Sequence, residues 1–318
     1  MSNRLQRNAG DIAYKFCRAV LLFGLCFLIV QPLLEKLSVS FMDQQDLYDS
    51  TVVSIPRHFT LGNYALSARL LEFWPSLRQT LIIMLVSSAL QVSACTLAGY
   101  GFARYKFPLK NFWFMCVMLI IVVPPQTIMA SLYLNFRFFD IFGLLRLTTG
   151  GPVNLLNSAA SFWLLSATGM GLKSGLYIFM LRQYFRGMPK ELEEAAWVDG
   201  CGRFKTFIRI MLPDATPMLT SCLLFSFVWQ WTDSFYSTLF LSNYKMLSVG
   251  LSGIADRLGA WWMSMNSSAG AVYTTAPMGY TQAIIATGML ICLAPLVLLY
   301  LVAQKAFVES LSQTGIKM

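Results

Sequence analysis

Long apolar runs dominate the chain, separated by short clusters of basic and turn-forming residues. A helix that crosses a bilayer needs about 20 mostly apolar residues. Six runs reach that length: Cys17–Leu37, Ser76–Tyr100, Phe112–Leu134, Phe162–Tyr184, Pro217–Leu241 and Thr281–Val302. The pattern predicts an all-α integral membrane protein with six transmembrane helices. The first run begins basic and has an apolar core, as a signal peptide does. Ser38-Val39-Ser40 is a weak cleavage candidate, but the apolar stretch continues past Pro32, which favours a retained anchor.

Composition agrees, since 56% of the residues are hydrophobic and only 12% are charged, against about 25% charged in soluble domains. The formal charge of +9 would suit a nucleic-acid binder, but no basic cluster is interleaved with aromatics in a soluble stretch. Basic residues in membrane proteins concentrate on the cytoplasmic side. With the N-terminus inside, that side receives Arg4–Arg18, Arg104–Lys110, Arg182–Arg209, Lys305 and Lys317, the richer share. Both termini are therefore expected in the cytoplasm, leaving Ser38–Pro75, Asn135–Ser161 and Ser242–Tyr280 outside.

Several chemistries are excluded. The seven cysteines form no CxxC pair, so neither a zinc site nor a disulfide framework is indicated. The single histidine, His58, has no thiol or carboxylate cluster near it in sequence and reads as a surface loop residue. No Gly-Lys dipeptide occurs, which removes the P-loop needed to cradle ATP phosphates. HExxH and GxSxG motifs are also missing. No paired intramembrane carboxylates mark a proton-coupled carrier. A non-enzymatic membrane protein remains.

The stretch ELEEAAWVDGCGRFKTFIRIMLPDATP from Glu191 is the most polar and helix-competent run in the chain. Pro189 stands near a helix start, where a missing amide hydrogen costs little. Glu191, Glu193 and Glu194 follow, at the positive end of the helix dipole. Gly200 and Gly202 stop that helix. A second helix over Arg203–Leu212, ended by Pro213, places Phe204, Phe207, Ile208 and Met211 on an apolar stripe. Such a hairpin suits either the headgroup layer or a docking surface for a partner.

Glu194-Ala195-Ala196, three residues, Gly200, nine residues and Ile210-Met211-Leu212-Pro213 together resemble the EAA signature of bacterial ABC-importer permeases. Pro56 to Tyr64, Ala98 to Arg104 and Val123 to Thr127 resemble the oligosaccharide-uptake type. The tail at Gly315-Ile316-Lys317 resembles the smaller permease of the maltose importer. Trp231-Thr232-Asp233 stands where that family often has Trp-Asn-Asp.

The resemblance implies the ABC type I importer transmembrane fold in the bacterial cytoplasmic membrane. It divides the chain into a first helix with its external segment (1–75), a permease core (76–305, EAA loop 186–216) and a cytoplasmic tail (306–318). It implies a carbohydrate cargo, a larger homologous permease, an ATPase dimer and an extracytoplasmic solute-binding protein as partners, and no nucleic acid. ATP and magnesium would reside on the ATPases, and this chain would carry no cofactor. Glu194, Ala195, Ala196, Asp199, Gly200, Phe204, Ile210, Leu212 and Pro213 would couple it to an ATPase. The alternatives are an ion-coupled secondary carrier, or an importer of polyols, glycerol phosphates or another small solute.

Three further candidates remain. Trp229, Asp233 and Tyr236 are spaced by four and three, sharing one helical face, while Trp231 points elsewhere. All four are candidates for the substrate pathway or, alternatively, for the interfacial aromatic belt. Ser242–Tyr280 exceeds the roughly two to eight residues that usually join packed helices, and carries Trp261, Trp262 and Tyr273. In the resembled family this loop reaches the binding protein, so Trp261 and Trp262, between Gly259 and Asn266–Ser268, read as a probe on a mobile stem or as an outer-leaflet anchor. Lys173, within the glycine-rich run Gly169–Gly175, is an intramembrane charge expected to face a cavity or to snorkel into water.

Overall fold

The computed structural model describes residues 2–49, 51–52, 55–140, 143, 150–267 and 275–315, with side chains described between 14 and 304, Ser267 excepted. Tyr273, Ser268, Ile316 and Lys317 lie outside the described residues. The described chain is helical, with two isolated antiparallel bridges, Met42–Phe59 and Phe139–Val153, and no strand among the described residues. Among the described residues three helices are long and apolar enough to cross a membrane: Tyr14–Ser40, Phe73–Arg104 and Met278–Gln304. Two sharply bent pairs bring the number to as many as five: Lys110–Val122 with Pro125–Arg137, at 103°, and Arg203–Asp214 with Thr216–Thr232, at 75°.

The chain divides into two compact units. The first contains residues 1–71 and 253–293. Within it α1 (Ser2–Ser40) is a single long helix. Its apolar side chains from Tyr14 to Leu37 face outward, as expected of a helix whose solvent is lipid. The segment after it folds around a buried carboxylate. Asp46, on the short α2 (Gln44–Tyr48), accepts the amides of Arg57 and His58 at 2.8 and 2.7 Å and the His58 ring Nδ1 at 2.7 Å. Burial opposes ionisation of Asp46, but these donors outweigh it and hold the carboxyl below its usual 3.8. His58 is thus an exposed loop residue, as expected, and also one half of a clasp that spacing in sequence did not reveal. Helix α3 (Gly62–Leu70) then tethers its Ser67 hydroxyl to the carbonyl of Ile284.

The second unit contains residues 72–252 and 294–318. Its frame is α4 (Phe73–Arg104), followed by α5 (Lys110–Val122), α6 (Met129–Arg137) and α7 (Ala159–Ala167), then α8 (Ser174–Gly187). A Cβ on Gly99 would lie 2.9 Å from Leu181 Cβ and 3.1 Å from the Arg182 nitrogen. Glycine there lets α4 and α8 approach backbone to backbone, as small residues do in membrane helix pairs. Tyr177, Leu181, Phe185 and Met211 are fully buried between these helices.

Three of the expected continuous spans are interrupted. The run Phe112–Leu134 breaks at Val123-Pro124, since Pro125 cannot donate and its ring disfavours helix at the residue before it; a 3₁₀ turn at Pro125–Ile128 follows. The run Phe162–Tyr184 breaks between α7 and α8, where Gly169 and Lys173 both have left-handed φ, +69° and +62°. The run Pro217–Leu241 forms α12 (Thr216–Thr232), opens at Asp233 and resumes as α13 (Phe235–Phe240). Between α8 and α12 lie α9 (Glu191–Val198), α10 (Arg203–Thr206) and α11 (Leu212–Asp214), the hairpin discussed below. Among the described residues after α13 are the helices α14 (Leu247–Ser252), α15 (Ile254–Ser267) and α16 (Met278–Gly315).

Candidate functional site

The hairpin forms for local reasons. Lys190 precedes α9, and its carbonyl accepts the amides of Glu193 and Glu194 at 3.0 and 3.1 Å. Helix α9 ends at Gly200, with φ +78°. Its closure is a Schellman motif: the Gly200 amide bonds the Trp197 carbonyl and the Cys201 amide bonds the Ala196 carbonyl. This left-handed closure is what glycine permits without a Cβ penalty. Gly202 is extended, with φ −69° and ψ 159°, so the turn requires only the first of the two glycines.

The second arm differs from the regular helix ending at Pro213 that the spacing predicts. After α10 the backbone widens into one π-helical turn, Phe207–Met211, and continues as α11 to Asp214, with the bend at Ala215. Proline removes a donor and crowds the carbonyl four residues back. A wider turn before it accommodates both effects, as π-bulges do. The apolar stripe is split as well. Phe207 and Met211 turn inward, the Phe207 ring lying 4.6 Å from that of Tyr100. Phe204 and Ile208 stay exposed, joined by Trp197, Val198 and Leu192 of α9.

Glu194, Ala195, Asp199 and Gly200 lie on the exposed side, together with Pro213, while Ala196 is buried and Ile210 and Leu212 are half-buried. Glu193 turns inward. Its carboxylate accepts the Tyr100 hydroxyl at 2.7 Å and faces Arg104 Nε at 3.6 Å. The Arg104 guanidinium also donates to the Met188 carbonyl at 2.8 Å. Tyr100 and Arg104 close the last turn of α4, so this buried cluster fastens the hairpin to a membrane-length helix. Only the Arg at the end of the apolar run and the doubled Glu hint at it in sequence.

A second site lies where the interruptions meet. A cavity of about 690 Å³ is lined by Leu119–Gln126, Met170–Lys173 and Trp229–Tyr236 segments, one from each broken helix. Trp229, Asp233 and Tyr236 all line it, but not because they share one helical face: the chain opens at Asp233, and Tyr236 reaches the cavity from α13. Trp231 is buried elsewhere. The Asp233 carboxylate accepts the Ser237 amide at 3.0 Å and its hydroxyl at 3.4 Å, closing the turn into α13. Lys173 Nζ lies 5.0 Å from the centre of the Trp229 ring.

Behind the cavity wall is a polar knot that sequence spacing did not single out. Gln91 Nε2 donates to the Leu172 carbonyl and the Ser174 hydroxyl, both at 2.7 Å. Its Oε1 accepts Ser226 Oγ and Gln230 Nε2, both at 2.6 Å. Every hydrogen-bonding position of the Gln91 amide is thus used, which fixes the Lys173 turn against α4 and α12. Glutamine inside an apolar run was the available signal, since such residues join helices in membranes.

Trp261 and Trp262 sit on helix α15. The Trp262 ring packs 5.8 Å from that of Tyr280, while Trp261 lines a shallow hollow with Asp43 and Arg69. Both are half-buried. Among the described residues no His, Cys, Asp and Glu group of three or more could hold a metal ion.

Comparison with known proteins matches residues 95–313 to the family described as binding-protein-dependent transport system inner membrane component. A probable ABC transporter permease protein of Pyrococcus horikoshii is 30% identical over 69% of this chain and 74% of its own length. The arabinooligosaccharides transport system permease protein AraQ of Halalkalibacterium halodurans is 26% identical, over 92% of this chain and 93% of the relative. The maltodextrin transport system permease protein MdxG of Bacillus subtilis is 25% identical, over 95% and 96%. In fold, the chain resembles a chain of a bacterial ABC transporter involved in the import of the acidic polysaccharide alginate, with a TM-score of 0.69 over 94% of this chain and 98% of that one, at 18% identity. The hairpin, the broken helices and these matches lead to one assignment: the chain belongs to the family of inner membrane components of binding-protein-dependent transport systems.

Proposed function

We propose that this chain is the permease subunit of an ATP-binding-cassette importer that moves an oligosaccharide across the bacterial cytoplasmic membrane by alternating access. The observation that carries the reading is the hairpin. Its outer face presents Glu194 and the exposed apolar patch around Phe204, and its inner face is tied through Glu193 to Tyr100 and Arg104. Such a joint passes a rigid-body displacement at the surface into a spanning helix. In this reading six spans cross the membrane, counting each interrupted helix as one, with both termini in the cytoplasm.

The partners are a larger homologous permease, a pair of ATPases that supply ATP and magnesium chemistry, and a solute-binding protein that delivers the sugar. Glu194, Ala195, Ala196, Asp199, Gly200, Phe204, Ile210, Leu212 and Pro213 form or shape the surface that meets an ATPase. Trp229, Asp233 and Tyr236 lie on the substrate pathway, with Trp231 as packing behind it. Trp261 meets the binding protein, with Trp262 as its packed support. The cargoes named for AraQ and MdxG support an oligosaccharide. Purification from membranes tests the reading: the chain should bring down an ATPase, and proteoliposomes of the complex should accumulate sugar only with ATP. A chain that transports alone on an ion gradient would overturn it.

A further inference from the structure

The structure assigns a charge preference to the cavity, an inference that rests on the importer reading and sharpens it: we propose that the cargo is an acidic saccharide, whose carboxylate is held by Lys173. Lys173 is an exposed side chain on the lining of this cavity, opposite an apolar wall from Leu119 to Val123, and an intramembrane charge in such a place marks a substrate path. Among the described residues it makes no ion pair; its one described partner is the face of Trp229, at 5.0 Å. A cation over an indole ring is attracted to it, but the contact leaves the net charge in place.

The other charged group on the lining, Asp233, does not neutralise it. That carboxylate accepts the Ser237 amide and hydroxyl and lies beyond ion-pair distance of Lys173. Trp229 is the cavity's large exposed ring, and the ammonium lies over it, so a sugar seated on that aromatic face lies beside a cation.

The position of this cation is built, not incidental. Lys173 has φ +62°, a conformation that side chains other than Gly, Asn and Asp seldom adopt. The surrounding turn is held in that shape by the two Gln91 bonds to Leu172 and Ser174. The residue also caps the start of α8, a helix of 14 residues beginning at Ser174, so the positive end of its dipole adds to the ammonium. A neutral sugar would displace water from this charge without supplying a counter-charge. A carboxylate on the sugar forms a charge-assisted hydrogen bond with it.

The test uses the complete permease–ATPase complex in nanodiscs, without binding protein, and two probes: trigalacturonate and its fully methyl-esterified, neutral counterpart. Calorimetry should give a Kd at least about tenfold lower for the acid, a difference of roughly 1.4 kcal/mol, and that advantage should shrink as salt rises. K173Q should bring the two Kd values together, and K173R should keep the preference for the acid. Equal binding of the two probes by the unmodified complex would overturn the proposal. So would a K173Q complex that keeps the preference, or one that loses both probes equally and so reports a structural role. A complex that binds neither probe while binding a neutral oligosaccharide also overturns it. Failure of the importer reading looks different, since a chain that brings down no ATPase or transports alone on an ion gradient sinks that reading, and this inference with it.

Discussion

The hairpin and the cavity both depend on interrupted helices, yet they are built in opposite ways. The hairpin turn is local. One glycine with φ +78° and two backbone bonds within six residues close it. The cavity is assembled from interruptions far apart in the chain, near Pro124, Lys173 and Asp233, which only packing brings together. One of them, at Lys173, uses a non-glycine residue in a left-handed turn and depends on Gln91, some eighty positions away, to hold it. In the proposed reading, a coupling surface that must keep its shape while it moves is written into a short stretch of chain. A cavity between helices is distributed, so in that reading it would open and close as those helices shift.

The hairpin side breaks most severely at its anchor. Glu193→Ala removes the acceptor of Tyr100 and leaves Arg104 buried beside no carboxylate, a change that costs about 3–5 kcal/mol for a buried pair. Glu194 and the exposed patch remain. The expected outcome is loss of sugar uptake with the ATPase still copurifying, whereas Glu194→Lys should lose uptake and the ATPase together. Equal effects of the two substitutions on ATPase retention would erase the distinction between inner and outer faces.

The turn should be next in severity. A Cβ at Gly200 meets nothing within 4 Å, so the cost of replacing it is conformational only. Gly200→Val, β-branched at positive φ, should lower uptake severely, with a strain of roughly 1–3 kcal/mol. Gly200→Asn should retain most uptake, because asparagine tolerates the left-handed region. Similar uptake by the two variants would mean that the turn relaxes in the assembled transporter.

On the cavity side, Gln91→Leu removes four hydrogen bonds at once and leaves the Ser174 and Ser226 hydroxyls and the Gln230 amide short of a partner. Interhelical bonds in membranes average about 0.6 kcal/mol each, so thermal unfolding should shift by only a few degrees. Uptake should fall further than stability, since the Lys173 turn loses its support. A fall in stability with normal sugar affinity would make the knot a structural feature alone.

The smallest effect belongs to α15. Trp261→Ala should weaken stimulation of ATP hydrolysis by the loaded binding protein and leave basal hydrolysis nearly unchanged. Trp262→Ala should chiefly lower stability, because that ring packs on Tyr280. If Trp261→Ala left stimulation intact, the hollow it lines would have no part in receiving the binding protein.

Much of this was legible along the chain. Apolar runs about the length of a bilayer located most of the helices, and Gly200 marked its turn, because both signals lie within a few consecutive residues. The positions of Glu194, Gly200 and Pro213 were readable for the same reason. Tertiary structure alone decided which way each side chain turned. Phe207 and Met211 lie on the same periodic stripe as Phe204 and Ile208, yet the first two are buried and the others exposed, because α4 and α8 cover one side of the π-widened turn. Nor could spacing show that Glu193 faces Tyr100 and Arg104, or that Asp233 closes a turn while Tyr236 returns to the same cavity from the next helix. Periodicity assumes an unbroken helix, and here breaks set by proline, by a left-handed lysine and by long-range hydrogen bonds placed the residues that line the cavity.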